Sequence, residues 1–392
     1  MNIALVGLPG AGKSTAGKAL AETLGLAFVD TDDLVEEETG CSVREVFSGK
    51  GEAEFRRLES SAIRRACAMD KAVVSCGGGG IVSEANRRLL LSNCITVHLC
   101  ASPEKAASRI GNAEGRPLLE GNPPARVEEL WNERKTHYSK AHLQVDANGT
   151  PEETLSNVRA ALEREVVLCG VVAGEDAVAQ ISSVSRAGAR AAELRLDLMP
   201  SDWRSIDEAI KACRKNKLKC VATLRDRREG GMFAGSESEK RLILERAIES
   251  GASVVDVELR HIRLIESIRQ TAEKSGCRLI VSVHDTEGTI KLDSLRSVLR
   301  KISSIGGMAK IAASVSPENG VEFLGLLDDA EALGVSCVLS PMGKESLPLR
   351  IAAALRGSAL NFAHAGIPTA AGQPSISEFS DAINTLRGRA WK

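Results

Sequence analysis

The residue pattern closest to recognisable chemistry is a glycine-rich stretch at positions 7–14, GLPGAGKS. It fits G-x-x-x-x-G-K-[ST], in which glycines let backbone N–H groups surround phosphate oxygens. Lys13 then meets the outer phosphates, and the Ser14 hydroxyl can hold Mg²⁺. An ordinary glycine-rich turn before a helix is the alternative, but it does not require a lysine and a hydroxyl at these positions. The stretch therefore predicts nucleotide binding.

Acidic residues follow the next apolar stretch, at Asp30, Asp32 and Asp33. At the carboxyl edge of a strand beside such a loop, carboxylates can hold Mg²⁺ through water or accept hydrogen bonds from substrate hydroxyls. Taken alone, these residues are explained as well by an N-cap and a solvated first helical turn. Their place beside the glycine-rich stretch favours the interpretation as ligands.

A second set of reactive residue types lies in apolar strands of the second half. Glu193, Arg195 and Asp197 alternate with leucines and therefore share one face. In a closed barrel the leucine face packs on outer helices, so the charges point inward. A structural layer of ion pairs is the alternative, but barrel active sites lie at the carboxyl ends of the strands. Other polar residues at comparable strand positions are Thr223, Arg225, Asp256, Glu258 and Lys310.

Lys310 and His284 together point to imine chemistry. A lysine among carboxylates and apolar walls is expected to have a lowered pKa, which lets its amine condense with a ketone. The imine acidifies the neighbouring C–H group, and His284 is a suitable base for that proton. A lone histidine here is more often a hydrogen-bonded core residue, and Lys310 favours the catalytic interpretation. This chemistry requires no metal, and the sequence has no His/Cys/Asp cluster at ligand spacing.

The elements that must position these residues alternate between strands and helices. In the first part we expect strands at 3–6, 72–75 and 95–100, helices at 13–24 and 151–164, a helix opened by Pro103, and a loop at 111–125. From residue 166 the pattern restarts, and eight apolar runs over roughly 225 residues predict a (β/α)8 TIM barrel. The alternation leaves an open doubly wound sheet as the alternative. The runs cover 166–172, 191–198, 219–223, 254–258, 278–282, 308–313, 336–339 and 359–363.

Composition narrows the class of protein. The 392 residues suffice for two cores, and we expect domains at 1–165 and 166–392. A net charge of −1 and 3% aromatic residues disfavour nucleic acid and membrane surfaces as partners. The 10 cysteines form no C-x-x-C pair and are expected to be reduced core thiols, which fits the cytoplasm. We expect the amino terminus to be a strand rather than a signal peptide, and no apolar run approaches the roughly 20 residues of a membrane span.

The first domain resembles the shikimate kinase family. The resemblance implies a P-loop NTPase fold, a three-layer α/β/α arrangement with a parallel sheet, and transfer of phosphate from ATP to shikimate with Mg²⁺. One departure is Thr136, where the family usually has proline. The motifs that carry the resemblance are, besides the P-loop, Asp30-Thr31-Asp32, Glu54-Phe55-Arg56-Arg57, Gly77-Gly78-Gly79, Arg116-Pro117-Leu118-Leu119, and Arg134 four residues before Tyr138.

The same resemblance implies residue roles. Shikimate would be held by Asp32, Arg56, Gly78 and Arg134, with Asp32 accepting the proton of the attacking hydroxyl. Ser14 and Asp30 would serve Mg²⁺, and Lys13 would be catalytic. Arg109 and Arg116 would come from a loop that closes over ATP. The implied ATP-binding residues are Gly10, Ala11, Gly12, Lys13, Ser14, Thr15, Arg109 and Arg116.

The second domain resembles type I 3-dehydroquinate dehydratase. By resemblance, Lys310 forms a Schiff base with the C3 ketone, His284 moves the C2 proton and Glu229 orients His284, with no cofactor. Thr369 stands where the family often has serine. The motifs are Glu193-Leu194-Arg195, Arg225 with Glu229-Gly230-Gly231, Asp256-Val257-Glu258, Ser282-Val283-His284-Asp285, Lys310, Met342-Gly343-Lys344 with Arg350, and Pro368-Thr369 before Gly372-Gln373. The implied substrate contacts are Glu193, Arg195, Arg225, Arg350, Thr369 and Gln373, with Arg350 on the carboxylate.

Together the two resemblances imply a bifunctional enzyme acting on shikimate and on 3-dehydroquinate. These steps are not consecutive, and the sequence has no G-x-G-x-x-G that opens a further nucleotide domain, so we expect a separate shikimate dehydrogenase. A homodimer is a family-level expectation. One alternative is another small-molecule P-loop kinase fused to a lysine Schiff-base aldolase, and another is a fusion in which one half has lost catalysis.

Overall fold

The computed structural model of the chain describes residues 1–110, 122–343, 345–366, 368–370 and 372–388. The described chain divides into two compact units, residues 1–164 with 381–388 and residues 165–380. Arg116 with the rest of its motif, and Lys344, lie outside the described residues. Of the loop expected at 111–125, only the last residues are described, and Pro123 already begins a helix. Within the described ranges, no helix combines the length and the apolar character needed to cross a bilayer.

The first unit is built on a parallel five-stranded sheet in the order β2-β3-β1-β4-β5. Parallel neighbours need crossover connections, which the helices supply. The strands are β1 (Asn2–Val6), β2 (Ala27–Asp30), β3 (Ala72–Ser75), β4 (Cys94–Cys100) and β5 (Leu143–Asp146). The helices are α1 (Lys13–Leu24), α2 (Thr31–Thr39), α3 (Val43–Ala68), α4 (Glu84–Asn93), α5 (Pro103–Ile110), α6 (Pro123–Tyr138) and α7 (Pro151–Leu162). The predicted P-loop fold class is confirmed, and Asp30 ends a strand as the sequence analysis assumed, although β5 was not identified as a strand.

The turn between β1 and α1 depends on its glycines. Gly12 has φ 91° and caps α1, and Gly10 has φ 80°, a region that residues with a side chain rarely adopt. A Cβ on Gly10 would also lie 2.2 Å from the carbonyl oxygen of Ala106. β1 itself is buried along its whole length, so the turn emerges from the rigid centre of the sheet.

The second unit contains an eight-stranded parallel sheet in the order β12-β11-β10-β9-β8-β7-β6-β13. The Ala359 N–H, just before β13, donates to the carbonyl of Cys337 in β12 at 2.9 Å, so the two end strands lie side by side. The sheet is thus a nearly closed barrel, and the open doubly wound alternative is wrong. The strands are β6 (Leu168–Val172), β7 (Ala191–Arg195), β8 (Lys219–Thr223), β9 (Val254–Glu258), β10 (Arg278–Asp285), β11 (Met308–Ser314), β12 (Cys337–Met342) and β13 (Asn361–His364).

The helices of the second part follow the strands in alternation, as predicted. Two strand boundaries differ from expectation in ways that matter for the site. β7 ends at Arg195, and Leu196–Leu198 form a 3-10 turn instead of continuing the strand. β10 extends to Asp285, so His284 lies within the strand. The helices are α8 (Ala177–Arg186), α9 (Trp203–Lys215), α10 (Glu237–Glu249), α11 (Ile262–Ser275), α12 (Leu292–Ile305), α13 (Pro317–Ala332), α14 (Leu347–Leu355) and α15 (Ile376–Leu386).

The barrel interior changes from apolar to polar along the strands. One end is filled by a core cluster that includes Val254, Ile280 and Met308. Because side chains alternate along a strand, the residue two positions later faces the same interior. In six strands the apolar core residue is followed in this way by a polar residue or a catalytic candidate: Ala191 by Glu193, Val221 by Thr223, Val254 by Asp256, Ile280 by Ser282, Met308 by Lys310, and Val338 by Ser340.

Two candidate active sites

The glycine-rich turn of the first unit lines a cavity of about 630 Å³, together with residues from the start of α2, from α3, from the turn after β3 and from α5, α6 and α7. Lys13 is nearly buried, and its ammonium donates to the carbonyls of Gly7 at 3.1 Å and Leu8 at 2.9 Å. A cation held at the centre of a ring of backbone groups suits a phosphate chain. Of the residues implied for this site, those that line the cavity are Gly10, Ala11, Gly12, Lys13, Ser14, Thr15, Asp30, Asp32, Arg56, Gly78, Arg109 and Arg134.

Asp30 caps α2 and also contacts Ser14. Its carboxylate caps α2 by accepting the N–H of Asp32 at 3.1 Å, and its second oxygen accepts the Ser14 hydroxyl at 2.7 Å. Ser14 also lies 3.2 Å from the Ser75 hydroxyl. Among the described residues there is no group of three or more side chains of the type that hold a metal. A hydroxyl and a carboxylate fit Mg²⁺, which usually keeps several waters and binds substrate phosphates.

Arg56 is held by carboxylates from its own helix. Its Nη1 donates to Glu59 at 2.8 Å, and its Nη2 donates to Glu52 at 3.1 Å. Glu59 is buried, and its second oxygen has no hydrogen-bond partner among the described groups. The sequence analysis did not identify Glu59, because its spacing of three from Arg56 also describes an ordinary surface pair on a helix.

The Tyr138 hydroxyl ties α6 to the turn that follows β3. It donates to the carbonyl of Gly78 at 2.6 Å, and burial raises the pKa of Tyr138 to about 12. Arg134, one helical turn earlier, is also nearly buried and lines the cavity. α6 runs unbroken through Thr136, so the residue that replaces the family's proline is simply helical.

Arg109 differs from expectation because it lies in α5 and not on a closing loop. Its guanidinium donates to the carbonyl of Ala147 at 2.9 Å and to that of Gly149. It is therefore fixed beside the start of α7, where Pro151 and Thr154 line the same cavity. The prediction of a loop arginine rests on Arg116 alone, which is outside the described residues.

Lys310 lies inside the barrel between two carboxylates. Its ammonium donates to Glu193 at 3.0 Å and to Asp256 at 2.8 Å, and it stands 4.4 Å from the centre of the Phe362 ring. Burial lowers the pKa of Lys310, but attraction to Asp256 and Glu193 outweighs burial, so the pKa is raised. The expectation of a lowered pKa is therefore wrong, because the two carboxylates lie in direct contact with the amine.

Each of these two carboxylates also accepts a hydrogen bond from a side-chain hydroxyl. Thr223 donates to Glu193 at 2.9 Å, and Ser282 donates to Asp256 at 2.5 Å. Burial raises the pKa of Asp256 in spite of Lys310. In spite of burial, the pKa of the other carboxyl, Glu193, is lowered by Lys310 and Arg195, so the two carboxylates beside Lys310 differ.

His284 and Glu229 form a dyad at the mouth of the barrel. One oxygen of Glu229 lies 2.9 Å from Nδ1 of His284 and accepts the His284 backbone N–H at 3.1 Å. Burial, with Arg225 and Lys310 nearby, holds the pKa of His284 well below its usual range. Burial and the neighbouring Glu258 raise the pKa of Glu229 to about 7. A neutral histidine that donates Nδ1–H to Glu229 keeps Nε2 available as a base.

Cations and an amide surround the same pocket. Arg350 is buried in α14, with Nε 3.3 Å from the Ser346 hydroxyl and Nη1 3.3 Å from the Phe362 carbonyl. Burial lowers its pKa to about 10, and no carboxylate among the described residues pairs with it. The Gln373 side-chain oxygen accepts the Thr369 N–H at 2.8 Å. The pocket is lined by Lys310, His284 and all six implied substrate contacts, Glu193, Arg195, Arg225, Arg350, Thr369 and Gln373.

Two of these arginines also form hydrogen bonds with the turn that follows them in the chain. Arg195 forms a two-pronged pair with Asp197, at 2.8 and 2.7 Å. Nε of Arg225 donates to the Glu229 carbonyl at 2.7 Å. Ser340, buried on β12, and Phe362 also line the pocket, and the sequence analysis did not identify either residue. Alternation from Val338 could have pointed to Ser340.

Comparison with known proteins divides the chain into two parts that correspond to these two sites. Residues 9–163 match the family model of shikimate kinase, and residues 169–389 match that of type I 3-dehydroquinase. The shikimate kinase of Moorella thermoacetica is 39% identical over 148 residues, 38% of this chain and 86% of that protein. The shikimate kinase of Salinispora tropica is 42% identical over 160 residues, 40% of this chain and 95% of that protein. A solved 3-dehydroquinate dehydratase from Geobacillus kaustophilus is 27% identical, covering 57% of this chain and 90% of that one, with a TM-score of 0.51.

Proposed function

Because this chain belongs to the shikimate kinase family in its first part and to the type I 3-dehydroquinase family in its second, we propose that the two pockets are its two active sites. The chain is a bifunctional enzyme of the shikimate pathway, a kinase and a lyase. The alternative of another kinase fused to an aldolase is not favoured. We propose residues 1–165 for phosphorylation of shikimate and residues 166–392 for dehydration of 3-dehydroquinate.

In the kinase pocket, ATP lies with its phosphates in the turn of residues 7–14. Lys13 exchanges its carbonyl partners for phosphate oxygens. Ser14 and Asp30 would hold Mg²⁺, which would neutralise phosphate charge. Arg109, which lines this cavity together with Pro151 and Thr154, contacts the rest of the nucleotide. We propose that Arg116 neutralises the charge of the transferring phosphate.

Shikimate binds in the same cavity. Arg56 and Arg134 bind its carboxylate, since a guanidinium fork matches two carboxylate oxygens. Gly78 contacts the ring through its backbone, held in place by Tyr138. Asp32 accepts the proton of the hydroxyl that attacks the phosphate. Glu59 positions Arg56 from its buried side.

In the barrel pocket, Lys310 first passes its proton to Asp256. The free amine adds to the C3 carbonyl carbon. The carbonyl oxygen then leaves as water with one proton from the amine and one from Asp256, which gives a protonated imine. His284 takes the C2 proton through Nε2, and the electron pair moves to the imine nitrogen. As the pair returns, the C1 hydroxyl leaves as water with the proton from His284, and hydrolysis releases product and Lys310.

Glu193, Arg195, Arg225, Thr369 and Gln373 contact the ring and its hydroxyls. Arg350 binds the substrate carboxylate, which supplies the negative charge that this buried cation lacks. The observation that carries the proposal is the buried Lys310 ammonium between Glu193 and Asp256, in one pocket with His284. No metal or organic cofactor is part of this half.

The proposal is tested by borohydride reduction in the presence of 3-dehydroquinate, followed by peptide mass analysis. We expect a substrate-derived adduct on the peptide containing Lys310 in the wild-type chain. The adduct should persist in Lys301→Met, which changes an exposed lysine on α12, and disappear in Lys310→Met. An intact protein without adduct, or an adduct elsewhere, contradicts the dehydratase assignment.

In the same preparation, ATP turnover should be faster with shikimate than with gluconate, and the reverse preference contradicts the kinase substrate.

Three further points remain proposals. We propose that a separate shikimate dehydrogenase connects the two reactions, and that the chain pairs as a homodimer. We also propose that it works in the cytoplasm. All ten cysteines are free thiols, which suits a reducing compartment.

A further inference from the structure

Lys240 is a buried lysine that the dehydration mechanism does not use. It lies on α10 and is completely buried. Its ammonium donates to Glu258, the last residue of β9, and stands 5.6 Å from the centre of the Phe233 ring. A buried ion pair often stabilises a fold less than apolar side chains of similar volume. Stability alone is therefore a weak reason for this pair.

The second oxygen of Glu258 reaches the loop after β8. It accepts the backbone N–H of Asp226 at 2.6 Å. Asp226 caps the 3-10 turn Arg227–Glu229 by accepting the Arg228 N–H at 2.8 Å. The carbonyl of Asp226 accepts the N–H groups of Glu229 at 3.0 Å and Gly231 at 2.9 Å. The buried Glu258 carboxylate thus links the turn to the end of β9.

This turn carries the residue that holds the catalytic histidine. Glu229 ends the turn, and its carboxylate binds both Nδ1 and the backbone N–H of His284. The continuous path runs from Lys240 through Glu258 and Asp226 to Glu229 and His284. We propose that the Lys240–Glu258 pair is a positioning device that fixes this turn, so that Glu229 aims His284 at the substrate proton. This inference rests on the proposed dehydratase function.

The pair also acts on the dyad through its charges. After burial, Glu258 is the next cause of the raised pKa of Glu229, and Lys240 is among the cations that lower the pKa of His284. Removing Glu258 should lower the pKa of Glu229. Removing Lys240 should raise the pKa values of both Glu229 and His284. The other charged groups that face the dyad or the turn are Arg195, Arg225, Arg228, Glu237, Asp256, Arg260, His261 and Lys310.

The experiment measures dehydration of 3-dehydroquinate against pH in the full-length chain. In Glu258→Gln, kcat should fall roughly 10- to 100-fold, since a small misplacement of a catalytic group has effects of this order. The acid limb of the pH–rate profile of this variant should move to lower pH, because Glu229 then ionises more easily. In Lys240→Met, kcat should fall similarly and the acid limb should move to higher pH. Lys240→Arg, which keeps the cation, should recover the wild-type limb.

Two controls separate positioning from loss of structure. Lys274→Met removes an exposed lysine on α11 and should leave dehydration unchanged, and phosphorylation of shikimate should persist in every variant. If Lys240→Met does not fold, Lys240→Met/Glu258→Gln leaves no unpaired buried charge, and its kcat should still be reduced. Wild-type behaviour of the variants overturns the proposal. So does a loss of turnover with an unmoved acid limb in both single variants, which indicates a structural role only.

The behaviour of the wild-type chain distinguishes failure of this inference from failure of the proposed dehydratase function. If wild type neither dehydrates 3-dehydroquinate nor gives an adduct at Lys310, the proposed function itself fails. If wild type does both and the variants do not respond as described, only the role of the pair is wrong.

Discussion

The two pockets handle charge in opposite ways. In the kinase pocket Lys13 rests on backbone carbonyls, and the side chain of Arg56 is 30% exposed beside its carboxylates. In the barrel the side chain of Lys310 is 6% exposed and is already paired with Glu193 and Asp256. Water and an anionic nucleotide can complete the first site when the ligand arrives. Lys310 is buried, so its charge is balanced by these two carboxylates before any ligand enters.

The two pockets should respond differently when a charged side chain is removed. Removing a charge from the kinase pocket should mainly change its reaction, because solvent reaches the partners that remain. Removing a charge from the barrel should change stability as well, because the partners stay buried. The two halves of one chain therefore offer an internal comparison at identical concentration and pH.

The largest effects are expected from the two lysines. Lys310→Met should reduce dehydration by roughly 10⁴- to 10⁶-fold, the range found when a nucleophile is removed. It should also destabilise the barrel by about 3–5 kcal/mol near neutral pH, since Glu193 and Asp256 lose their cation. This destabilisation should shrink as pH falls and the carboxyls take up protons. The measurements are turnover of both reactions and thermal unfolding at several pH values.

Lys13→Ala is the matched change in the other pocket. It should reduce phosphorylation of shikimate by roughly 10²- to 10³-fold, as removal of one group that stabilises developing charge does. Dehydration and the unfolding of the barrel should not change. Equal losses of stability from the two substitutions would show that the proposed contrast between the pockets is wrong.

Arg350→Met is expected to separate stability from binding. This buried guanidinium has hydroxyl and carbonyl partners but no paired carboxylate among the described residues. Replacing it with an apolar side chain should stabilise the second unit by about 1–2 kcal/mol. Without the cation for the substrate carboxylate, KM for 3-dehydroquinate should rise by roughly 30-fold or more. Denaturant unfolding and steady-state kinetics test both parts, and a destabilised variant would mean that Arg350 is structurally required.

Much of this contrast was predictable from the sequence, because it follows local patterns. The spacing of Lys13 and Ser14 after the glycines predicted the phosphate turn. The alternation of Glu193 and Arg195 with leucines predicted charges inside a barrel, and the barrel is confirmed. Such patterns depend only on residues close in sequence, where backbone geometry fixes which side chains share a face.

What the sequence did not predict depends on long-range distances. Lys310 and Glu193 lie 117 positions apart, and only their direct contact shows that the pKa of Lys310 is raised. Lys240 stands among charged residues of α10 and resembles a solvated surface lysine until the fold buries it against Glu258. Arg109 was placed on a loop by the family resemblance, whereas it lies in α5, where its guanidinium donates to the backbone of residues about 40 positions away.

The smallest effect is expected at the exposed edge of the kinase pocket. Glu52 is 60% exposed and pairs with the Nη2 side of Arg56, the side chain that we propose binds the shikimate carboxylate. Glu52→Gln should therefore lower KM for shikimate, by at most about fivefold, because exposed ion pairs contribute about 1 kcal/mol or less. Raising the ionic strength should shrink the difference from wild type, because salt screens exposed charges. Glu54→Gln is the matched control, since Glu54 pairs with the exposed Arg57 on the same helix and should leave KM unchanged. If Glu52→Gln instead raises KM, Glu52 orients Arg56 for binding, and the kinase pocket, like the barrel, depends on a charge pair formed before the substrate arrives.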